Sequence, residues 1–230
     1  MGTSQNGSFV PAAREIATGV LQSQAGNLVA TDRAALKTIG ADVRYRGMEA
    51  LVLSDRSRWV FDDAALVAVI DATENLVLTP DGLSSAAGRW LRADSSFVMK
   101  LPVAFGLANN AVIMTVPEGF AIRPTGMPYW ETTVGWTGGA SSAIGISSSR
   151  TGFTADGAVL GGAAGDVAAT LVAGIQPGTV GVGFDSLAEI QAGLFEEGDT
   201  FIYDEITSAF TAGSGFVCIP VSIAVAPVTP

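Results

Sequence analysis

Glycine and proline punctuate this chain too often for any long helix to run through it. It holds 28 glycines and 10 prolines in 230 residues. Glycine weakens a helix by entropy and proline breaks its hydrogen-bond ladder, so short strands joined by tight turns are what remain. Hydrophobic residues make up 48% and charged residues 15%. That supplies a core and argues against disorder. The fold class expected is mainly β: a small α/β N-terminal module followed by a β-sandwich or jelly-roll-like domain.

The turns divide the sequence into three stretches. Residues 1–30 read as a flexible N-terminal arm, with one strand near Thr18-Gly19-Val20-Leu21. Residues 31–96 read as the α/β module. There Thr31 can cap a helix, Asp32 suits its positive end and Gly40 can close it, while Leu36 and Ile39 give it one apolar stripe. Strand-like runs follow at 50–53, 58–61, 76–78 and 88–92, and Asp62-Asp63 can cap a short helix over 64–70.

Residues 97–230 read as an acidic, glycine-rich β-sandwich domain. Its strand-like runs are 111–116, 129–136, 168–175, 200–206 and 216–225, and Asp185 can cap one helix over 186–194. In the last run Val217, Ile219, Val221, Ile223 and Val225 share a face by alternation. Pro220 within it predicts an edge strand or a bulge.

Charge is split between the two parts. Ten of the twelve Lys and Arg lie in residues 1–100, whereas the acids divide eleven and eleven; residues 101–230 therefore net −9 of the total −10. This excess of acid argues against a nucleic-acid partner, and with two lysines there is no polybasic membrane patch. The first residues lack the basic and apolar regions of a secretory signal, and Asn6 stands where a myristoylation signal needs Ser or Thr. Asn6-Gly7-Ser8 fits a glycosylation sequon. The longest apolar stretches are broken by Asp166, Pro220 and Pro227, so no membrane span is expected.

The chemistry on offer is narrow. The chain has no His, which removes His-based triads and most zinc and haem sites. Cys218 has no intrachain partner and reads as a buried thiol in an apolar run. No Walker A or G-x-G-x-x-G sequence is present. The expectation is therefore no enzyme and no cofactor. Carboxylate pairs are the one enzymatic route left, with Glu196, Glu197 and Asp199 the densest acidic stretch. That stretch also reads as a solvated turn, or as oxygen ligands for calcium. On a strand over 129–136, alternation places Trp130, Thr132, Val134 and Trp136 on one face. The two indoles there fill a core, meet another subunit, or stack on a sugar. Trp59 and Trp90 read as core. Arg44, Arg46, Arg56, Arg58, Arg89 and Arg92 can meet an acidic surface or simply be solvated.

Thr31, Ala35-Leu36-Lys37, a turn at Gly47, Trp59-Val60-Phe61, Leu78-Thr79-Pro80 and Gly88-Arg89-Trp90-Leu91 form one pattern. Over residues 31–94 it resembles a small module of tailed-bacteriophage structural proteins, among them head-decoration and fibre proteins. The resemblance implies a virion protein. The form expected is a capsid decoration or cement protein on the outer capsid surface. Its partner is then the major capsid protein, with Arg44, Arg46, Arg56 and Arg58 facing the capsid, and the copies self-associate, a trimer being favoured. The alternative is a fibre or knob that binds a host glycan through Trp130 and Trp136 or through Glu196, Glu197 and Asp199.

Overall fold

Short apolar runs between turns build sheets in this protein. The computed structural model describes residues 14–17, 20–22, 28–65, 71–83, 87–138, 142–162, 165–167, 171–179, 193–206 and 210–224. The fold is mainly β: among the described residues there are sixteen strands and one helix of five residues. The chain divides into two units, residues 1–68 with 77–93 and residues 69–76 with 94–230.

The first unit is a seven-stranded sheet, in the order β1 (Arg14–Ala17), β2 (Val20–Gln22), β3 (Leu28–Ala30), β4 (Glu49–Val52), β5 (Arg58–Asp62), β7 (Arg89–Arg92), β6 (Val77–Leu78). Three strands thus stand within residues 1–30, where one was expected. All its neighbours are antiparallel except β3 and β4, which run parallel. A parallel pair needs a crossover, and the helix α1 (Arg33–Lys37) lies on it. The cap is Asp32, not Thr31: its Oδ1 accepts the Ala35 N–H at 2.8 Å, a bond worth about 1 kcal/mol. Thr38, not Gly40, closes the helix, donating both N–H and Oγ1–H to the Ala35 carbonyl. Leu36 and Ile39 pack with Leu28, Val52, Trp59 and Trp90 in one core.

Trp59 is fully buried, and its polar edge is satisfied by a chain of contacts. Its indole N–H donates to Ser57 Oγ at 2.7 Å, and Ser57 donates to Asp55 at 2.5 Å. Asp55 takes Arg33 Nη2 at 2.6 Å, and the Arg33 guanidinium returns over the Trp59 ring at 5.6 Å. Burial alone pushes the Asp55 carboxyl up, but the bonds from Ser57 and Arg33 outweigh it and hold it below its ordinary value.

The second unit holds two sheets. The five-stranded sheet is built on β16 (Phe210–Ala224), a strand of fifteen residues. On one side β16 pairs with β8 (Ser96–Ala104). On its other side β10 (Ala121–Pro124) and β11 (Tyr129–Gly138) follow end to end, and β14 (Gly174–Pro177) lies beyond β11. The four-stranded sheet runs β13 (Asp166–Val167), β12 (Ala143–Ser148), β15 (Thr200–Glu205), β9 (Ala111–Thr115).

Pro220 lies in the middle of this sheet, not at an edge. Its carbonyl accepts the Thr125 N–H at 2.8 Å. The side of Pro220 that lacks an N–H therefore faces the link between β10 and β11, where no strand needs a donor. The register shifts between β16 and β11 come elsewhere, at residues 132–138 of β11, and the extra residue falls on β16 only between Phe210 and Ala212. Residues 71–76 are held in the second unit by Asn75, which is buried. Its amide donates to the Lys100 carbonyl at 2.8 Å and accepts the Lys100 N–H at 3.0 Å, as a neighbouring strand would. The helix expected over 186–194 falls mostly outside the described residues, as does most of the one over 64–70.

Candidate functional site

The residues singled out by sequence do not converge. Trp130 and Trp136 are 1% and 4% exposed, so neither ring is open to a sugar. The Trp130 indole donates to Asp166 Oδ2 at 2.6 Å. Trp136 meets Phe210 edge-on at 5.0 Å, and Gly213 lies against its ring, where a Cβ would collide. The single face drawn through Trp130, Thr132, Val134 and Trp136 is broken by register shifts between Thr132 and Gly138, which turn Val134 out to 53% exposure.

Glu196, Glu197 and Asp199 form the turn before β15. Arg150 binds Glu196 at 2.7 Å and lies 3.6 Å from Asp199. Asp199 accepts the Glu196 N–H at 2.8 Å, and Glu197 accepts the Gly119 N–H at 3.3 Å. Among the described residues no group of three or more Cys, Asp or Glu side chains is placed to hold a metal ion.

The arginines separate into two kinds. Arg46, Arg56 and Arg58 are exposed, with Arg58 near Glu49 at 3.3 Å and Arg46 near Asp62 at 3.5 Å. Arg44 is half-buried, its guanidinium over Phe61 at 5.4 Å. Arg89 and Arg92 are buried and cannot meet a partner surface: Arg89 donates to the Gly88 carbonyl at 2.8 Å, and Arg92 lies over Trp59 at 5.7 Å. Cys218 is fully buried; burial first, then the charge of Glu131, push its thiol up to about 11. A thiol held protonated in this way is inert as a nucleophile.

Among the described residues a further buried polar arrangement was not singled out by the sequence. It lies on β12, whose six residues are all buried. Gly145 stands opposite Asp204, and Ile144 stands opposite both Asp166 and Glu205. Asp204 is 1% exposed and accepts Ser147 Oγ–H and the Gly157 N–H, each at 2.9 Å. Burial pushes its carboxyl above the ordinary value, with the two hydrogen bonds opposing. Asp166 accepts, besides Trp130, the Thr179 N–H at 2.9 Å.

Asp204 ties Gly157, in the glycine-rich stretch 157–162, beside β12, whereas Asp166 joins Trp130 of β11 to Thr179. Ile146 and Leu160 exchange the contact by backbone, Ile146 N–H donating to the Leu160 carbonyl at 2.8 Å. Gly157 has φ +65, and any Cβ there would strike the Gly162 carbonyl. A serine hydroxyl bonded to a carboxylate is the beginning of a nucleophile–base pair. Here Ser147 and Asp204 are 4% and 1% exposed, which closes the pair to substrate and leaves it an anchoring role. The available signal was Asp204, the first acid of the pair Asp204-Glu205, directly after the apolar run Phe201-Ile202-Tyr203.

No protein-family model, no curated protein and no solved structure matches the chain.

Proposed function

We propose that this chain is a non-enzymatic structural protein of a tailed-phage virion, a decoration or cement protein on the outer capsid surface. The observation that carries this reading is how charge follows the division of the fold. The first unit holds nine basic and eight acidic residues, net +1, and the second holds three basic and fourteen acidic, net −11. One near-neutral unit with exposed Arg46, Arg56 and Arg58 suits attachment to the major capsid protein, and one strongly acidic unit suits a solvated exterior. The resemblance over residues 31–94 supports the same context. In this reading the first unit is the small α/β module, with α1 on its sheet. The second is a sandwich of jelly-roll kind, its two sheets enclosing Trp130, Ile146, Phe201 and Val217. Many weak contacts, repeated over a capsid lattice, add up to firm attachment through avidity.

The test is the copy number of this chain in density-gradient-purified particles from its source, measured by quantitative mass spectrometry. Copies comparable to the major capsid protein are expected. A few per particle would move the protein to a fibre or knob, and absence would overturn the virion reading.

A further inference from the structure

The outward face of the five-stranded sheet is nearly free of the acid that dominates its unit. Register defines this face. Lys100 and Tyr129 stand opposite Cys218, Pro102 and Glu131 opposite Phe216, Val98 opposite Pro220, and Ile175 opposite Glu131. The alternate positions, among them Met99, Val217 and Trp130, are buried and point the other way. Of the fourteen acidic residues of the unit, Glu131 is the one carried by these five strands. Lys100 and Arg123 are their two bases, so the face nets +1 on a unit of net −11. Its apolar groups are open to solvent: Ile175 is 73% exposed, Val134 53% and Val98 39%.

We propose that a second copy of this chain covers this face in a two-fold pair. Two copies of a body at −11 repel each other through their other surfaces, and this face is the one that lets them approach. It is also complementary to itself. Lys100 Nζ lies 2.6 Å from Glu131, in the next row of the sheet. A two-fold axis between them sets Lys100 of each copy against Glu131 of the other, with apolar side chains around them. The face has the size required. Four strands abreast at about 4.8 Å and nine residues at about 3.3 Å span roughly 500–600 Å² in projection. Side-chain relief brings that toward the about 800 Å² per partner of a standard interface. The pairing stands independently of the virion reading, because it rests on this face alone.

Sedimentation equilibrium of the full chain tests it. The expected mass is twice 23.4 kDa. Ile175→Glu places an acid on a solvent-exposed strand position, so the fold should persist by circular dichroism while dissociation becomes roughly a hundredfold easier. Lys100→Glu and Glu131→Lys should each give monomers, and an equimolar mixture of the two should restore the pair, because each acid then meets a base across the axis. A chain that stays monomeric, an oligomer other than a dimer, a dimer that survives Ile175→Glu, or a mixture that fails to reassociate would overturn the proposal.

Discussion

Asp204 is a carboxylate that the fold holds against its own preference. Burial raises its proton affinity, so the folded unit binds that proton more tightly than the unfolded chain does. The stability linked to this proton is fully present below the ordinary carboxyl range and is lost as pH rises through the raised folded value. Asp204→Asn keeps the shape. Its amide oxygen can accept the Gly157 N–H, and its amide nitrogen can donate to Ser147. The variant should therefore gain on the parent protein between about pH 4 and about pH 7, read as the difference in urea midpoints at the two pH values. Parallel midpoints across that range would show that Asp204 titrates in the fold as it does in the open chain. Residues of this kind are hard to find in a sequence. Trp130, Arg89 and Arg46 carry no local mark of depth, and it is the register of β11 and β7, set by strands distant in sequence, that buries the first two. Asp32 as a cap was legible in principle, because Thr31 and Asp32 are both good caps and backbone geometry decides between them.

Strands were legible where one face is wet. In β4 and β5 buried and less-buried positions alternate, and both were found within a residue or so of their ends. The second half of the long strand β16 was found too, from Phe216 on, although Pro220 marked it as an edge strand or a bulge. β12 was missed because both its faces are buried, which removes the period of two from its sequence. β8 was missed for a different reason: Val98 and Pro102 on its outward face are as apolar as Met99, Leu101 and Val103 within, so its alternation is masked. The side of β8 away from β16 is completed at Lys100 by one side chain, Asn75. Asn75→Ala removes both bonds to the Lys100 backbone and leaves a strand N–H without its partner. The cost should be about 2 kcal/mol, seen as a lower urea midpoint, together with faster hydrogen exchange at the Lys100 amide. Exchange at Lys100 as slow as in the parent protein would mean that Asn75 does not complete the strand.

Charge and fold divide the chain at nearly the same place, and the sequence already carried most of that division. A cut at residue 100 gives −1 and −9, whereas the units themselves give +1 and −11, because Asp71, Glu74 and Asp94 pass to the acidic side and Lys100 passes with them. A net −11 in one unit opposes its compact state by self-repulsion, and a net +1 in the other does not. Salt should separate the two. At about 0.01 M ionic strength the screening length is about 30 Å, and at about 0.1 M it falls to about 10 Å, shorter than a domain is wide. Hydrogen-exchange mass spectrometry in mild urea should then show protection of β12, β15 and β16 rising with added sodium chloride, while β4, β5 and β7 hold steady. Equal gains in both units would point to a general effect of the salt on apolar burial. No gain in either would mean that the acids of the second unit lie far enough apart, or are paired well enough, to cost the fold nothing. The ion pairs of Arg150 with Glu196 and of Lys100 with Glu131 engage two of the three bases in that unit. Its fourteen acids outnumber its three bases, and the salt response should follow from that imbalance.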